Sequence, residues 1–274
     1  MGYLVTPKAC KTISLRGVGV EYAPVAIGGS NAKGAWTELS SALSIGIRSF
    51  DVVLLGADSG AWYLLDVGIG PAGSEVVIVP NLQMQTFNDY GNESRIFRLP
   101  YAIAKGTRVA MRGQSNLSAK TVRAAILGHA GNRFVAALAV QRSIAYGQNL
   151  STTQGTNIDP GGTANVKGAW TPLVTSTTYP IRRLALAVVP PTAVAFSSWA
   201  VDIGVCAAGA AANAEVVLIP DIPFHAADIG KSIGPTAEHF EVALPAAVRL
   251  SLRAACDITT SASRVFHAML SAMG

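Results

Sequence analysis

Asn31-Ala32-Lys33-Gly34-Ala35-Trp36-Thr37-Glu38-Leu39 returns as Asn165-Val166-Lys167-Gly168-Ala169-Trp170-Thr171-Pro172-Leu173, with seven of nine residues unchanged at an offset of 134. Further matches follow in the same order. Asp66-Val67-Gly68-Ile69 answers Asp202-Ile203-Gly204-Val205 at an offset of 136. Glu75-Val76-Val77-Ile78-Val79-Pro80 answers Glu215-Val216-Val217-Leu218-Ile219-Pro220 at 140. Arg108-Val109-Ala110-Met111-Arg112 answers Arg249-Leu250-Ser251-Leu252-Arg253 at 141, and Arg123 matches Arg264 at the same offset. Order is preserved and the offset drifts slowly, as small loop insertions in a tandem duplication would cause. So long a period is a whole domain rather than a solenoid unit.

The chain divides accordingly into an N-terminal arm (1–30), a first repeat (31–141), a linker (142–164) and a second repeat (165–274). The arm holds Thr12-Ile13-Ser14-Leu15-Arg16 and Val18-Gly19-Val20-Glu21-Tyr22, which alternate loosely as strands do, and is expected to pack on the first domain or on a neighbouring subunit. It has no counterpart of similar sequence before the second repeat. The linker is mostly polar, rich in Gly, Ser and Thr, and is expected to be extended. Within the repeats the apolar runs are short, β-branched and bounded by Gly, Pro, Asn or Ser, with almost no helical period. That pattern predicts an all-β protein of two tandem β-sandwich, jelly-roll-like domains.

Charged residues make up 14% of the chain and apolar residues 50%, which excludes disorder and implies much surface covered by partners. The net charge of +5 is spread without a Lys/Arg block, so no nucleic-acid face is expected. The Ala- and Val-rich stretch 183–220 is interrupted by Pro190-Pro191, Asp202 and several glycines, so no membrane insertion is expected either. Cys10, Cys206 and Cys256 lack metal-ligand spacing and read as small buried hydrophobes in a chain made in a reducing cytoplasm.

Gly68-Ile69-Gly70-Pro71-Ala72-Gly73 matches the dinucleotide fingerprint, but a strand rather than a helix follows it. It is therefore read as a glycine-rich hairpin, and no cofactor is expected. The shared acids Asp66, Glu75, Asp202 and Glu215 are too few for a calcium loop and are read as turn caps or arginine partners. Neither a metal site nor a catalytic residue is assigned; His129, His225, His239 and His267 lie outside nucleophile-elbow and zinc-helix contexts. Arg108 with Arg112, and Arg249 with Arg253, share one face of a strand with core residues between them. Those arginines face solvent or form a basic contact surface. Trp36 and Trp170 are expected as core or sheet-edge anchors. Trp62 and Trp199 fall near one another in the repeat frame and are candidates for a sugar-stacking or interface surface.

The heading Asn-x-Lys-Gly-Ala-Trp-Thr-x-Leu, the run Asp66 to Pro80, the segment Ala104 to Arg112 and the approach Thr156 to Trp170 together resemble a group of tailed-bacteriophage virion proteins built from such β repeats. The resemblance covers most of the chain and is stronger in the first unit. It implies a non-enzymatic structural protein of the virion, synthesised in the host cytoplasm. Such a protein serves as head decoration, spike or tail appendage, docking on other virion proteins as a homo-oligomer. The alternatives are a carbohydrate-binding host-attachment protein (tail fibre or adhesin) that engages a host surface glycan and, with less support, a polysaccharide depolymerase or esterase.

Overall fold

The computed structural model describes residues 12–15, 22–57, 61–85, 95–130, 142–189, 197–226, 232–233 and 238–274. In chain order the first repeat contributes β1 (Thr12–Leu15), β2 (Ala23–Ser30), β3 (Thr37–Ser40), β4 (Ser49–Ala57), β5 (Trp62–Ile69), β6 (Val76–Gln85), β7 (Arg95–Leu99), β8 (Val109–Ser115) and β9 (Thr121–His129). The second contributes β10 (Ser143–Tyr146), β11 (Thr156–Ile158), β12 (Thr171–Val174), β13 (Ile181–Val189), β14 (Ser197–Ala207), β15 (Val216–Ala226), β16 (Ser232–Ile233), β17 (Glu238–Leu244), β18 (Val248–Cys256), the short helix α1 (Ser261–Arg264) and β19 (Phe266–Met273).

In the first repeat β2, β9, β4 and β7 lie side by side in one layer and β3, β8, β5 and β6 in the other; β1 also pairs with β9, and β2 pairs parallel with β8 (Ile27 with Gly113), which joins the two layers into one nine-stranded sheet. The second repeat reproduces this order as β10 and β11, β19, β13 and β17 against β12, β18, β14 and β15. This is the two-sheet strand order of a jelly roll, so the chain is all-β and each repeat is a jelly-roll sandwich. Period-two burial builds the two cores. Val109 and Met111, and Leu250 and Leu252, are fully buried between the flanking arginines, as their even spacing requires. Each buried Val, Leu or Met of this kind contributes about 1.5–3 kcal/mol.

The arm and the linker are not accessory segments. In the first repeat Thr12 pairs with His129 and Ala23 with Ala124. In the second Ser143 pairs with Met273 and Thr156 with Ala268. Because β9 and β19 correspond at an offset of 144, β1 and β10 are equivalent strands, and so are β2 and β11. The stretch expected as an extended linker therefore supplies the first strands of the second sandwich, and the expected arm supplies those of the first. Residues 18–21, the other candidate strand of the arm, fall outside the described residues. The offset of 144 also corrects the match of Arg123 with Arg264: Arg123 occupies the register position of His267, and Arg264 sits in the inserted helix α1.

The two sandwiches pack against each other. Leu64 of β5 meets Ala145 of β10 and Met269 of β19 in a small buried cluster. Ala185 and Met273 join the apolar core of the first repeat. The Gln114 amide donates to Leu150 O (2.8 Å) and Thr153 Oγ1 (3.0 Å), and Thr153 Oγ1 donates to Asn31 Oδ1 (2.6 Å). This packing buries both faces of β5, although only one faces its own core.

Candidate functional site

The duplicated motif folds into the same side-chain cluster twice. Asn31 and Asn165 take positive φ (56° and 60°), and their amides donate to Ser115 O and Cys256 O. This turn lays the Lys-Gly-Ala-Trp segment across the outer face of one sheet. Gly34 passes so close to the preceding strand that a Cβ would stand 2.7 Å from Ala26 O; Gly168 has the same relation to Pro160 O. A side chain there would force the segment off the sheet.

Over the sheet, Lys33 Nζ donates to Asp66 Oδ1 (2.8 Å), Asn81 Oδ1 (2.8 Å) and Leu64 O (3.0 Å). Arg112 Nε donates to the other Asp66 oxygen at 3.0 Å, and its guanidinium stacks 4.6 Å from the centre of the Trp36 ring. In the second repeat Lys167 Nζ reaches Asp202 Oδ1 (2.6 Å), Ala200 O (3.0 Å) and Asp221 Oδ1 (2.8 Å). Arg253 Nε reaches Asp202 Oδ2 at 2.9 Å and lies 4.4 Å over Trp170. Each carboxylate is 4% exposed and holds two cations, while a backbone amide (Asn81 or Asp221, 2.9 Å) donates to it as well. Burial pushes Asp202 up, but the Asp221 amide, Lys167 and Arg253 outweigh it and hold the carboxyl below its usual range.

The second arginine pair is also internal. Arg108 bridges Glu75 (2.7 Å) and Glu38 (2.7 Å). Its counterpart Arg249 pairs with Glu215 at 2.9 Å, which Ser251 Oγ also contacts at 2.7 Å. Pro172 stands where the first repeat has Glu38. Arg249 instead donates to Ala210 O (2.8 Å) and Ala211 O (2.7 Å) of the longer loop that follows β14. The four shared acids are arginine partners, as the sequence suggests. Arg108, Arg112, Arg249 and Arg253 are each paired with a carboxylate of the chain, Arg108 and Arg249 largely buried and Arg112 and Arg253 about 30% exposed.

Trp62 and Trp199 are both buried. They are 4% and 3% exposed, so neither indole offers a surface. Trp199 pairs with Cys256 where Tyr63 pairs with Ser115. The structural counterpart of Trp199 is thus Tyr63, and the two tryptophans are one position apart on opposite sheet faces. Trp199 stacks on Phe224 in its own core (4.6 Å), and its indole N–H donates to Arg264 O (2.7 Å). Trp62 meets His267 edge-on across the repeat boundary at 4.7 Å. Trp36 and Trp170 are half-buried anchors at the sheet surface.

The glycine-rich stretch is the hairpin between β5 and β6; Gly70 and Gly73 take φ of +114° and +81°. Cys206 and Cys256 carry free thiols, burial raising the latter to about 11, and Cys10 lies outside the described residues. No group of His, Cys, Asp and Glu among the described residues is placed to hold a metal. Ser198 Oγ lies 3.2 Å from His225 Nδ1, but Asp257 accepts the Ser198 backbone amide (2.9 Å) rather than orienting the imidazole. Ser49, Asp51 and His129 are buried, with Asp51 and His129 in contact at 3.3 Å. A crevice of about 360 Å³ at the repeat junction is lined by Val76, Val77, Ile78, Tyr101, Ile144 and Tyr179, with Ser143, Thr178 and one charged group, Arg142. It contains no carboxylate, imidazole or thiol.

Each of the two jelly-roll repeats is thus closed by a Lys–Asp–Arg–Trp cluster centred on a buried carboxylate. No family model matches the chain, and no curated protein matches it. Among solved structures it is similar to PNGF-II (TM-score 0.40, 6% identity, 97% of this chain), of whose chain it spans 65%. It is similar to PNGase F, a glycosylasparaginase from Flavobacterium meningosepticum (TM-score 0.33, 10% identity, 96% of each chain). It is also similar to the STIV MCP (TM-score 0.29, 8% identity, 93% of this chain and 98% of that one). Likenesses this distant carry no argument about function. Among the described residues no helix is long and apolar enough to cross a membrane.

Proposed function

We propose that this chain is a non-enzymatic structural protein on the exterior of a tailed phage or phage-like particle. It acts through protein–protein interfaces in symmetric copies and docks on other virion proteins. One observation carries the reading: both repeats commit the charged and aromatic residues they share to internal staples that close the sandwich. Residues kept through a duplication for rigidity suit a protein whose task is to present a fixed shape. The sequence likeness to phage virion proteins supplies the setting. The host-attachment reading loses its aromatic support, since Trp62 and Trp199 are buried.

Immunogold labelling of purified intact particles with an antibody against the chain tests this. Label over the head assigns a decoration or spike protein, and label confined to the tail assigns an appendage. Absence of the chain from intact particles and from their denatured extract overturns the proposal.

A further inference from the structure

The two staples differ at one position. Lys33, Asp66, Arg112, Trp36 and Gly68 recur as Lys167, Asp202, Arg253, Trp170 and Gly204, but Asn81 recurs as Asp221. The difference changes the chemistry available. In the first repeat a lysine amine rests against a carboxamide, with a carboxylate that accepts from both the amine and the backbone N–H of the same asparagine. Lys33 Nζ is 2.8 Å from Asn81 Oδ1 and 2.8 Å from Asp66 Oδ1, and its third contact, Leu64 O at 3.0 Å, fixes its direction. Asn81 is held as firmly: it is 8% exposed, takes φ of 53°, and its own amide donates to Asp66 Oδ1 at 2.9 Å.

We propose that Lys33 and Asn81 become joined by an intramolecular isopeptide bond, with Asp66 carrying the proton. The deprotonated amine attacks Asn81 Cγ and the Nζ–Cγ bond forms. Asp66 takes the proton that Nζ sheds and delivers it to Nδ2 as the Cγ–Nδ2 bond breaks. Ammonia leaves; no oxidant or other reactant is needed. Fixing the reactants in contact supplies what a bimolecular amide exchange in water lacks. Burial pulls the Lys33 ammonium below its ordinary range; Asp66 opposes this and Arg112 adds to it, so the neutral amine is more accessible than on a surface lysine. Lys33 is one-fifth exposed, which leaves the ammonia a way out. In the second repeat Asp221 offers Lys167 a carboxylate instead. Its side chain is 70% exposed, it has no amine to lose, and the contact stays an ion pair. The bond would tie segments 48 residues apart in sequence and lock the motif onto β6 of the first repeat alone.

Intact mass of the denatured full-length chain, followed by peptide mapping, decides the matter. The expected result is a mass lower than the sequence mass by one ammonia, with a branched peptide that links Lys33 to Asn81 and survives reductant. The variant Lys33→Arg keeps the charge and should return to its full sequence mass. A wild-type chain at its full sequence mass overturns the proposal, as does an ammonia loss mapped to any other site. The wild-type mass is decisive even if the variant fails to fold.

Discussion

Gly68 lies so close beneath Trp36 that a Cβ on it would stand 2.5 Å from the indole, and Gly204 stands in the same relation to Trp170. The glycine on β5 and the tryptophan ahead of β3 are one packing unit. The tryptophan can lie flat on the sheet, under its arginine, only because the strand beneath it has no side chain. The glycine that looks like the start of a nucleotide fingerprint is kept for this contact.

Gly68→Ala therefore displaces the Trp36 ring and its Arg112 cover. Overpacking of this kind costs about 1–3 kcal/mol. Urea denaturation should show the loss together with a red-shifted tryptophan emission. An unchanged midpoint would mean that the ring is not seated on the strand.

Asp202 links its stability contribution to pH. Its folded pKa is lowered from 3.8, so the contribution is complete above that value and disappears as pH falls through the folded pKa below it. Asp202→Asn should remove this acid-side dependence. At neutral pH it leaves Lys167 and Arg253 facing a neutral group and costs on the order of 2–4 kcal/mol. Chemical denaturation from pH 7 to pH 3 measures both effects.

His239 acts over a higher window. Burial, with Arg183 and Arg98 nearby, depresses it to about 4, and both ring nitrogens are buried without a hydrogen-bond partner in the structure. The unfolded chain takes up a proton near pH 6.5 that the folded chain refuses until about pH 4. Stability therefore declines as pH falls between those values, by on the order of 3 kcal/mol. His239→Leu should flatten that part of the profile; an unaltered slope would assign it to another group.

Trp62 couples the two sandwiches. Trp62→Ala opens a cavity at the repeat boundary and costs about 3–5 kcal/mol. Calorimetry should then resolve two unfolding transitions, against a single one expected for the native chain. Trp199→Ala, inside the second core, should lower the stability of the second repeat directly. A single unchanged transition in Trp62→Ala would place the coupling elsewhere.

The duplication, the all-β class and the shared residues were legible because they are local: period-two burial and repeated motifs need no knowledge of partners. Asp66, Glu75, Asp202 and Glu215 were read as turn caps or arginine partners on residue type alone, and each has an arginine. Trp62 and Trp199 lie one position apart in the repeat frame and so face opposite ways, which only the strand register reveals. Lys33 and Lys167 were quoted within the motif but not singled out. Their invariance beside an invariant aspartate was the available signal.

What the sequence determined by itself was two copies of one strand-rich unit and which residues both copies keep. The tertiary structure alone decided that β1 and β2 play the same part as β10 and β11. A sheet's flanking strand is specified by the backbone bonds its neighbour offers, and these leave its side chains free to diverge. It also decided that the charges shared by both repeats pair within the chain. Whether an arginine on the outer face of a sheet meets water depends on what crosses above it. Here that is its own chain, held down by a lysine and an aspartate from distant strands.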